Sequence, residues 1–540
     1  MKNIKISYVI MLMATIMFSS CVKDLDVEPI DSNVSTSNNV FKDEAAYKQA
    51  LAKIYASYAI SGQDGGGGGN PDIAGIDENF GNYLRQLWGL QELSTDEAII
   101  AWDDATIKNF HWQTWAPNDV FIAALYSRIY YSIAVANEFV RNADATINAG
   151  ASGSFLTDLK AYKAEARFLR AFSYWHAIDM FGNVPFVTEA DLPGAFFPDR
   201  ITRADLFTYI ESELSALDAE TDLPMAGANE YARADKGAVW MLQAKLYMNA
   251  EVYIGTPKYS EALTAINKVI GASYTIDPTY QNVFRADNNN SPEIIFPLAF
   301  DGTNTQQYGG MTFLLHASNG GGMPLNGIDG GWGGIRGIKD LASKFNVSES
   351  DFSAADPEFS GIADQRGMFY FNPDVWTWDI DNVGAFTQGI GVTKFKNISA
   401  DGSPAPNVHP TFVSTDFPVF RLGDAYLMYA EAVLRGGAGG DAGTALGYVN
   451  DLRTRGGAAT ITSGDLTLDF LLDERVRELY WEGHRRTDLI RFGQFTDGSY
   501  VWEWKGNVQA GTSVGGFRDL YPIPSNDMNA NPNLIQNTGY

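Results

Sequence analysis

Three glutamates at steps of four, Glu474, Glu478 and Glu482, stand in the densest charged stretch of the chain, Asp473 to Arg491. That spacing predicts three carboxylates on one helix face. Two carboxylates can cleave a glycosidic bond, but they must flank the sugar from both sides, roughly 5–9.5 Å apart. A ladder interleaved with Arg475, Arg485 and Arg486 reads instead as a structural ion-pair network. Cys21 is the only cysteine, so disulfides, thiolate metal sites and a cysteine nucleophile within the folded body are excluded. The five histidines, His111, His176, His316, His409 and His484, show no metal-ligand spacing, and no cofactor or transition metal is expected. Asp287-Asn288-Asn289-Asn290 is rich in oxygen but lacks the order of a calcium loop, which leaves a structural calcium open. The run Gly65 to Gly69 lacks the Lys-Ser/Thr ending of a phosphate loop and reads as a flexible connection.

Binding residues are easier to find than catalytic ones. Aromatic residues make up 13% of the chain, with 12 tryptophans, and several sit among glycines rather than in periodic segments. Trp332 is embedded in Gly330-Gly331-Trp332-Gly333-Gly334, Tyr308 precedes Gly309-Gly310, and Trp102 follows the apolar run Ala98–Ala101. Flat rings pack against the C–H faces of a sugar, while hydroxyls need a few orienting polar groups. Arg85 offers a planar fork of donors, and Asp77 can accept from two hydroxyls. Core packing is the competing reading for Trp102, and a structural Asp77–Arg85 pair is the competing reading for those two. Trp376 and Trp378 alternate as in a strand, as packing or as a binding rim.

These residues need a scaffold, and the pattern predicts a mostly α one. From Asp158 to Met180 apolar residues recur at steps of three and four, up to Gly182. Thr202-Arg203-Ala204-Asp205 predicts a helix start, followed by the stripe Leu206, Ile210, Leu214 and Leu217. The stretch Leu246–Ala250 with Ala262–Asn267, and the stretch Met428–Ala432 with Ala445–Asn450, read as two similar helical hairpins. Such hairpins stack to bury faces that one alone cannot. Between them lie long loop-rich stretches, Ser61–Pro117 and Asn282–Phe417, of the kind that carries binding surfaces on a rigid frame. The end, Leu520 to Tyr540, is too rich in Pro and Asn for helix and reads as an extended closing strap. No clear linker divides residues 41–540, which predicts a single domain. The chain is acidic, with a net charge of −26 over 540 residues, and no basic cluster offsets it, which argues against nucleic-acid binding.

The N-terminus supplies an address. A basic head, an apolar run from Ile6 to Phe18 and small residues before Cys21 predict a signal peptide over residues 1–20. Its removal takes Lys2 and Lys5 and moves the net charge from −26 to −28. A lone cysteine at that point resembles a bacterial lipoprotein box, with Phe18 where leucine is usual. The acidic stretch Val22–Glu28 resembles a Bacteroidetes export tag, within a lipidated tether over residues 21–40. The expected location is the outer membrane, lipid-anchored through Cys21 and facing the exterior.

Together these stretches resemble the SusD/RagB family of outer-membrane glycan-binding lipoproteins. Ala164–Ala171 through Phe181-Gly182-Asn183-Val184-Pro185 is similar to its central motif, and Glu474-Arg475 through Glu482-Gly483-His484-Arg485 to its second. Tyr521-Pro522-Ile523-Pro524, Asn531-Pro532 and Gln536–Tyr540 are similar to its ending. The resemblance implies tetratricopeptide-like helical hairpins with long loop insertions, no catalysis, and docking on a SusC-like TonB-dependent transporter. A finer resemblance to starch-binding members rests on Ser61–Gln63, Gly75–Glu78, Tyr83–Arg85, Gln91–Ala98 and Trp102–Asp104. It implies that Trp102, Tyr308 and Trp332 form an arc matching an α-1,4-glucan helix, with Asp77 and Arg85 as polar partners. Asp104 or Ala105 stands where that pattern carries asparagine. A receptor for another glycan (another α-glucan, laminarin or levan), a surface glycoside hydrolase, and a structural cap that touches no sugar are the alternatives at this point.

Overall fold

The computed structural model describes residues 40–540 apart from Gly68, Pro193 and Ala195. Cys21, the leader and all of the acidic tether except Val40 lie outside the described residues. By contacts the chain divides into a short unit ending at Ala50 and a large one, Leu51–Tyr540.

The frame is helical. Its main elements are α1 (Glu44–Ala59), α2 (Tyr83–Glu92), α3 (Val120–Asn148), α4 (Gly153–Met180), α5 (Arg203–Ala219), α6 (Lys236–Met248) and α7 (Tyr259–Ile270). They continue with α8 (Gly310–Ala317), α9 (Leu422–Leu434), α10 (Ala442–Arg455), α11 (Leu468–Leu479), α12 (Arg485–Arg491) and α13 (Ser525–Ala530). Packing is sequential: α3 on α4, α4 on α5, α5 on α6, α6 on α7, α7 on α9, and α9 on α10 and α11. The two hairpins expected from the internal likeness are α6–α7 and α9–α10, and their stacking is the contact of α7 with α9. Helix α3 is apolar and long enough to span a bilayer by composition, but Phe121, Leu125, Ile129, Ile133, Phe139 and Val140 are buried inside the protein.

Local chemistry sets the boundaries. Thr202 caps α5, its hydroxyl accepting from the Asp205 N–H at 3.1 Å and donating to the Asp205 carboxylate at 2.6 Å. The stripe Leu206, Ile210, Leu214 and Leu217 is fully buried. Helix α4 begins at Gly153, five residues before the expected Asp158, because its first turns are half-exposed and carry little apolar periodicity.

Short antiparallel strand pairs join the loops to this frame: β1 (Ala98–Ile100) with β3 (Ile335–Gly337), and β2 (Ile294–Leu298) with β4 (Phe417–Arg421). The closing strap is anchored by the Tyr521 N–H on the Met180 carbonyl at 2.8 Å, the Tyr521 hydroxyl on the Leu90 carbonyl at 2.7 Å, and the Asn537 amide on the Phe181 and Tyr521 carbonyls. Contrary to the sequence expectation, it holds a short helix, α13. Pro524 sets its entry, and the half-buried Asp527 accepts from the Tyr126 hydroxyl of α3 at 2.5 Å.

The carboxylate ladder also needs correction. Glu474 and Glu478 lie on α11, but the helix stops at Leu479. Tyr480 turns out of helical geometry and Trp481 is left-handed (φ 69°), so Glu482 leaves the shared face. All three are ion-paired in the core, yet mostly by arginines distant in sequence. Arg421 holds Glu478 and Glu482 (both 2.6 Å) and Glu293 (2.7 Å). Arg366 holds Glu474 and Glu478, Arg455 holds Glu478 and Glu293, and Lys394 holds Glu482. The expected partners pair elsewhere: Arg475 with Asp424 and Asp488, Arg485 with Asp96, and Arg486 with Asp179.

Candidate glycan-binding site

The β1–β3 ladder brings two tryptophans together. Ala98, Ile99 and Ile100 pair with Gly337, Arg336 and Ile335, and one step further the Ala101 N–H bonds the Gly334 carbonyl at 2.8 Å. The antiparallel register therefore sets Trp102, just past β1, against Trp332, just before β3. Their ring centroids are 6.5 Å apart, and the Trp102 indole N–H reaches the Trp332 carbonyl at 3.4 Å. The surrounding glycines permit this approach. A Cβ at Gly334 would lie 2.6 Å from the Trp102 ring, and one at Gly331 would collide with the Asn319 carbonyl.

Helix α8 supplies the support. Tyr308 immediately precedes it, 6.0 Å from Trp332 between centroids and 37% exposed. Phe313 packs edge-on beneath Trp102 at 5.9 Å. His316, one turn on, stacks under Trp332 at 4.6 Å, its ring nitrogens meeting the Gly330 and Thr411 carbonyls. The Trp332 N–H bonds the His316 carbonyl at 2.7 Å, which ties the glycine-rich loop to the end of α8. Gln307 holds the other side, its amide oxygen accepting from Ser61 and Asn82 and its NH2 donating to Glu78. Trp102 and Trp332 are half-buried, so the three rings form one contiguous platform open to solvent.

The polar residues lie at the Trp102 end. Arg85, on α2, rests its guanidinium on Phe313 at 4.2 Å and donates to the Asn79 carbonyl at 3.3 Å, while its buried Nε–H has no hydrogen-bond partner among the described residues. Burial lowers its pKa to about 10, and the charges of Asp104 and Asp77, in that order, oppose the drop, so it stays cationic at neutral pH. Neither carboxylate closes to an ion pair with it among the described residues. Asp77 is exposed, with one oxygen capping the N–H groups of Asn79 and Phe80 at 2.9 and 3.1 Å. Asp104 is exposed beside Ala105, whose backbone is left-handed (φ 43°). All six residues singled out from the sequence thus fall in one neighbourhood. Phe313 and His316 were not singled out, although their i, i+3 spacing just after Tyr308 is the signal that would have found them. Trp376 is core, 2% exposed, and Trp378 packs on Phe352 and Phe371.

Two other expectations meet structure here. Gly66 lies directly against the Phe412 ring, so the glycine run is in part packed. The Asn288 amide bonds the Val283 and Asp416 carbonyls, a structural use of the oxygen-rich stretch. Among the described residues no group of three His, Cys, Asp or Glu side chains is placed to hold a metal ion.

The chain aligns with known proteins. A profile described as "SusD family" matches residues 292–540, and one described as "Starch-binding associating with outer membrane" matches residues 81–248. The starch-binding protein SusD of Bacteroides thetaiotaomicron is 34% identical over 97% of this chain and 96% of its own. The chain belongs to the SusD family. SusD-like protein P2 of Formosa agariphila is 23% identical over the full length of both chains. Solved SusD-type structures share the fold: a SusD homolog from Bacteroides thetaiotaomicron has a TM-score of 0.70 at 18% identity, covering 93% of this chain and 98% of its own. Surface glycan-binding protein A from the same organism has a TM-score of 0.67 at 20% identity, covering 92% and 100%. The SusD fold accounts for the helical frame, and within it the long insertions carry the aromatic platform.

Proposed function

We propose that the chain is a non-catalytic cell-surface receptor for starch and maltooligosaccharides. It presents α-1,4-glucan to a partner SusC-like TonB-dependent transporter, and a lipid on Cys21 holds it on the outer face of the outer membrane. The observation that carries this reading is the open, contiguous run of Trp102, Trp332 and Tyr308 with an under-satisfied Arg85 at one end. Rings tilted 35° and 52° to their neighbours suit a curved ligand better than a flat one. Full-length similarity to a starch-binding relative supports the substrate class. The absence of catalysis is supported by the carboxylates: Glu474, Glu478 and Glu482 are buried and saturated by arginine and lysine, with no face left for a sugar.

The test is calorimetry of the purified protein against maltoheptaose and a cyclodextrin, with laminarin and levan alongside, and a reducing-end assay on amylose. Binding of the α-glucans without release of reducing ends is expected. Binding of laminarin or levan alone, or Glu478-dependent hydrolysis, would overturn it.

A further inference from the structure

The aromatic run does not stop at Tyr308. Phe412 lies 5.3 Å beyond it between centroids, and His409 packs on Phe412 at 4.7 Å. Phe412 is buried, sealed by Tyr308 on one side and Gly66 on another, so it serves as a floor. His409 is only partly covered. Its Nδ1 accepts from the Thr411 and Phe412 N–H groups at 3.1 and 3.0 Å, which fixes the ring and puts the proton on Nε2, a donor with no partner among the described bonds. Thr411, between the two rings, donates its hydroxyl to Asp329 at 2.7 Å. Asp329 sits 3.9 Å from the His316 ring that underlies Trp332, and its side chain is 46% exposed. A carboxylate and an oriented N–H donor thus flank this end of the platform, as Arg85, Asp104 and Asp77 flank the other.

We propose that His409 and Asp329, on the Phe412 floor, form a further glucan subsite. It takes the sugar units that follow those on Trp102, Trp332 and Tyr308. Centroid distances of 6.5 and 6.0 Å link the open rings Trp102, Trp332 and Tyr308, and the contacts continue at 5.3 Å to the buried Phe412 and at 4.7 Å to the partly exposed His409. Asp329 accepts from hydroxyls, the His409 Nε2–H donates to one, and the imidazole face packs on C–H groups. The consequence is length selectivity: chains long enough to pass Tyr308 gain contacts that a trisaccharide does not reach. This inference rests on the glucan-receptor reading above.

The experiment compares maltotriose with maltoheptaose by calorimetry on wild type, His409→Asn and Asp329→Ala, with circular dichroism on each. Asparagine at 409 keeps an acceptor for the Thr411 and Phe412 N–H groups, as in an Asx turn, while removing the ring. Each variant is expected to lose about tenfold in maltoheptaose affinity, equivalent to about 1.4 kcal/mol. Maltotriose affinity should stay at the wild-type value. Unchanged maltoheptaose affinity in both folded variants, or an equal loss on the two sugars, would overturn the subsite and leave the receptor reading intact. A wild type that binds neither sugar would overturn the receptor reading itself.

Discussion

At the proposed platform, single side chains should decide affinity. An aromatic hot spot typically costs at least about 2 kcal/mol when cut to alanine, more than tenfold in affinity. Trp102→Ala with Trp332→Ala is therefore expected to abolish detectable binding of maltoheptaose by calorimetry, because two of the three open rings would be gone. A folded double mutant that binds like wild type would return both rings to a packing role. A second residue-scale effect concerns acid. Burial pushes the Glu92 carboxyl up to about 7, against a hydrogen bond with Glu97, and pushes Glu97 above the ordinary range, with the Glu92 charge adding to the cost there. A carboxyl raised in the folded state stabilises fully below its unfolded pKa and loses that contribution as pH rises through the folded value. Stability should fall between about pH 4.5 and 7 on this account. Glu97→Gln keeps the acceptor for the Trp481 N–H, bonded at 3.0 Å, and removes one charge. Urea denaturation at pH 5 and pH 8 should show a smaller difference in the variant than in wild type. An unchanged difference would mean that the pair is not the source.

At the scale of elements, the ion-pair core joins α9, α10, α11, β4 and the loops around Arg366 and Lys394. Glu478 is central: Arg421, Arg455 and Arg366 all bond it, and they hold its carboxyl well below the usual range despite burial. Removing one partner from a buried network strands the opposite charge, at about 3–5 kcal/mol. Glu478→Gln should lower the stability measured by chemical denaturation by that order, while affinity for maltoheptaose at a temperature where the variant is folded stays unchanged. A loss of affinity without loss of stability would point to a direct role in binding. The Asp488 carboxyl, lowered to about 2 by Arg475 and Arg491 against its own burial, belongs to the same class. It contributes stability above its unfolded pKa that is lost as pH falls from about 4 toward 2.

For the whole molecule, the C-terminal strap closes the frame. Tyr521 is fully buried, clustered with Phe110, Trp115 and Phe181, and bonded to α2 and α4. Tyr521→Ala should cost about 3–5 kcal/mol, as for other large aromatic truncations, and lower the melting temperature. An unshifted melting curve would show that the strap is an independent appendage. The proposed anchor has its own test: Cys21→Ala should release the protein from the cell surface or leave its leader uncleaved. Retention like that of wild type would refute lipid anchoring.

The helical frame was legible in the sequence because burial imposes a period on it. Leu206, Ile210, Leu214 and Leu217 could only be one face of one helix, and the likeness of α6–α7 to α9–α10 survives in residue types. The six candidate residues came from aromatic rings stranded among glycines and from a motif resemblance that runs the length of the chain, and the fold gathers them in one neighbourhood. Their arrangement was not legible. Trp102 and Trp332 are 230 positions apart, and only the β1–β3 register makes them neighbours. Arg366, Arg421 and Arg455 reach Glu478 across gaps of 112, 57 and 23 positions, whereas proximity in sequence pointed to Arg475, Arg485 and Arg486. The exit of Glu482 from its helix depends on a left-handed Trp481 that no period announces. Periodicity records which face is buried. What that face meets is set by long-range packing, and the platform and the charge network are both products of such meetings.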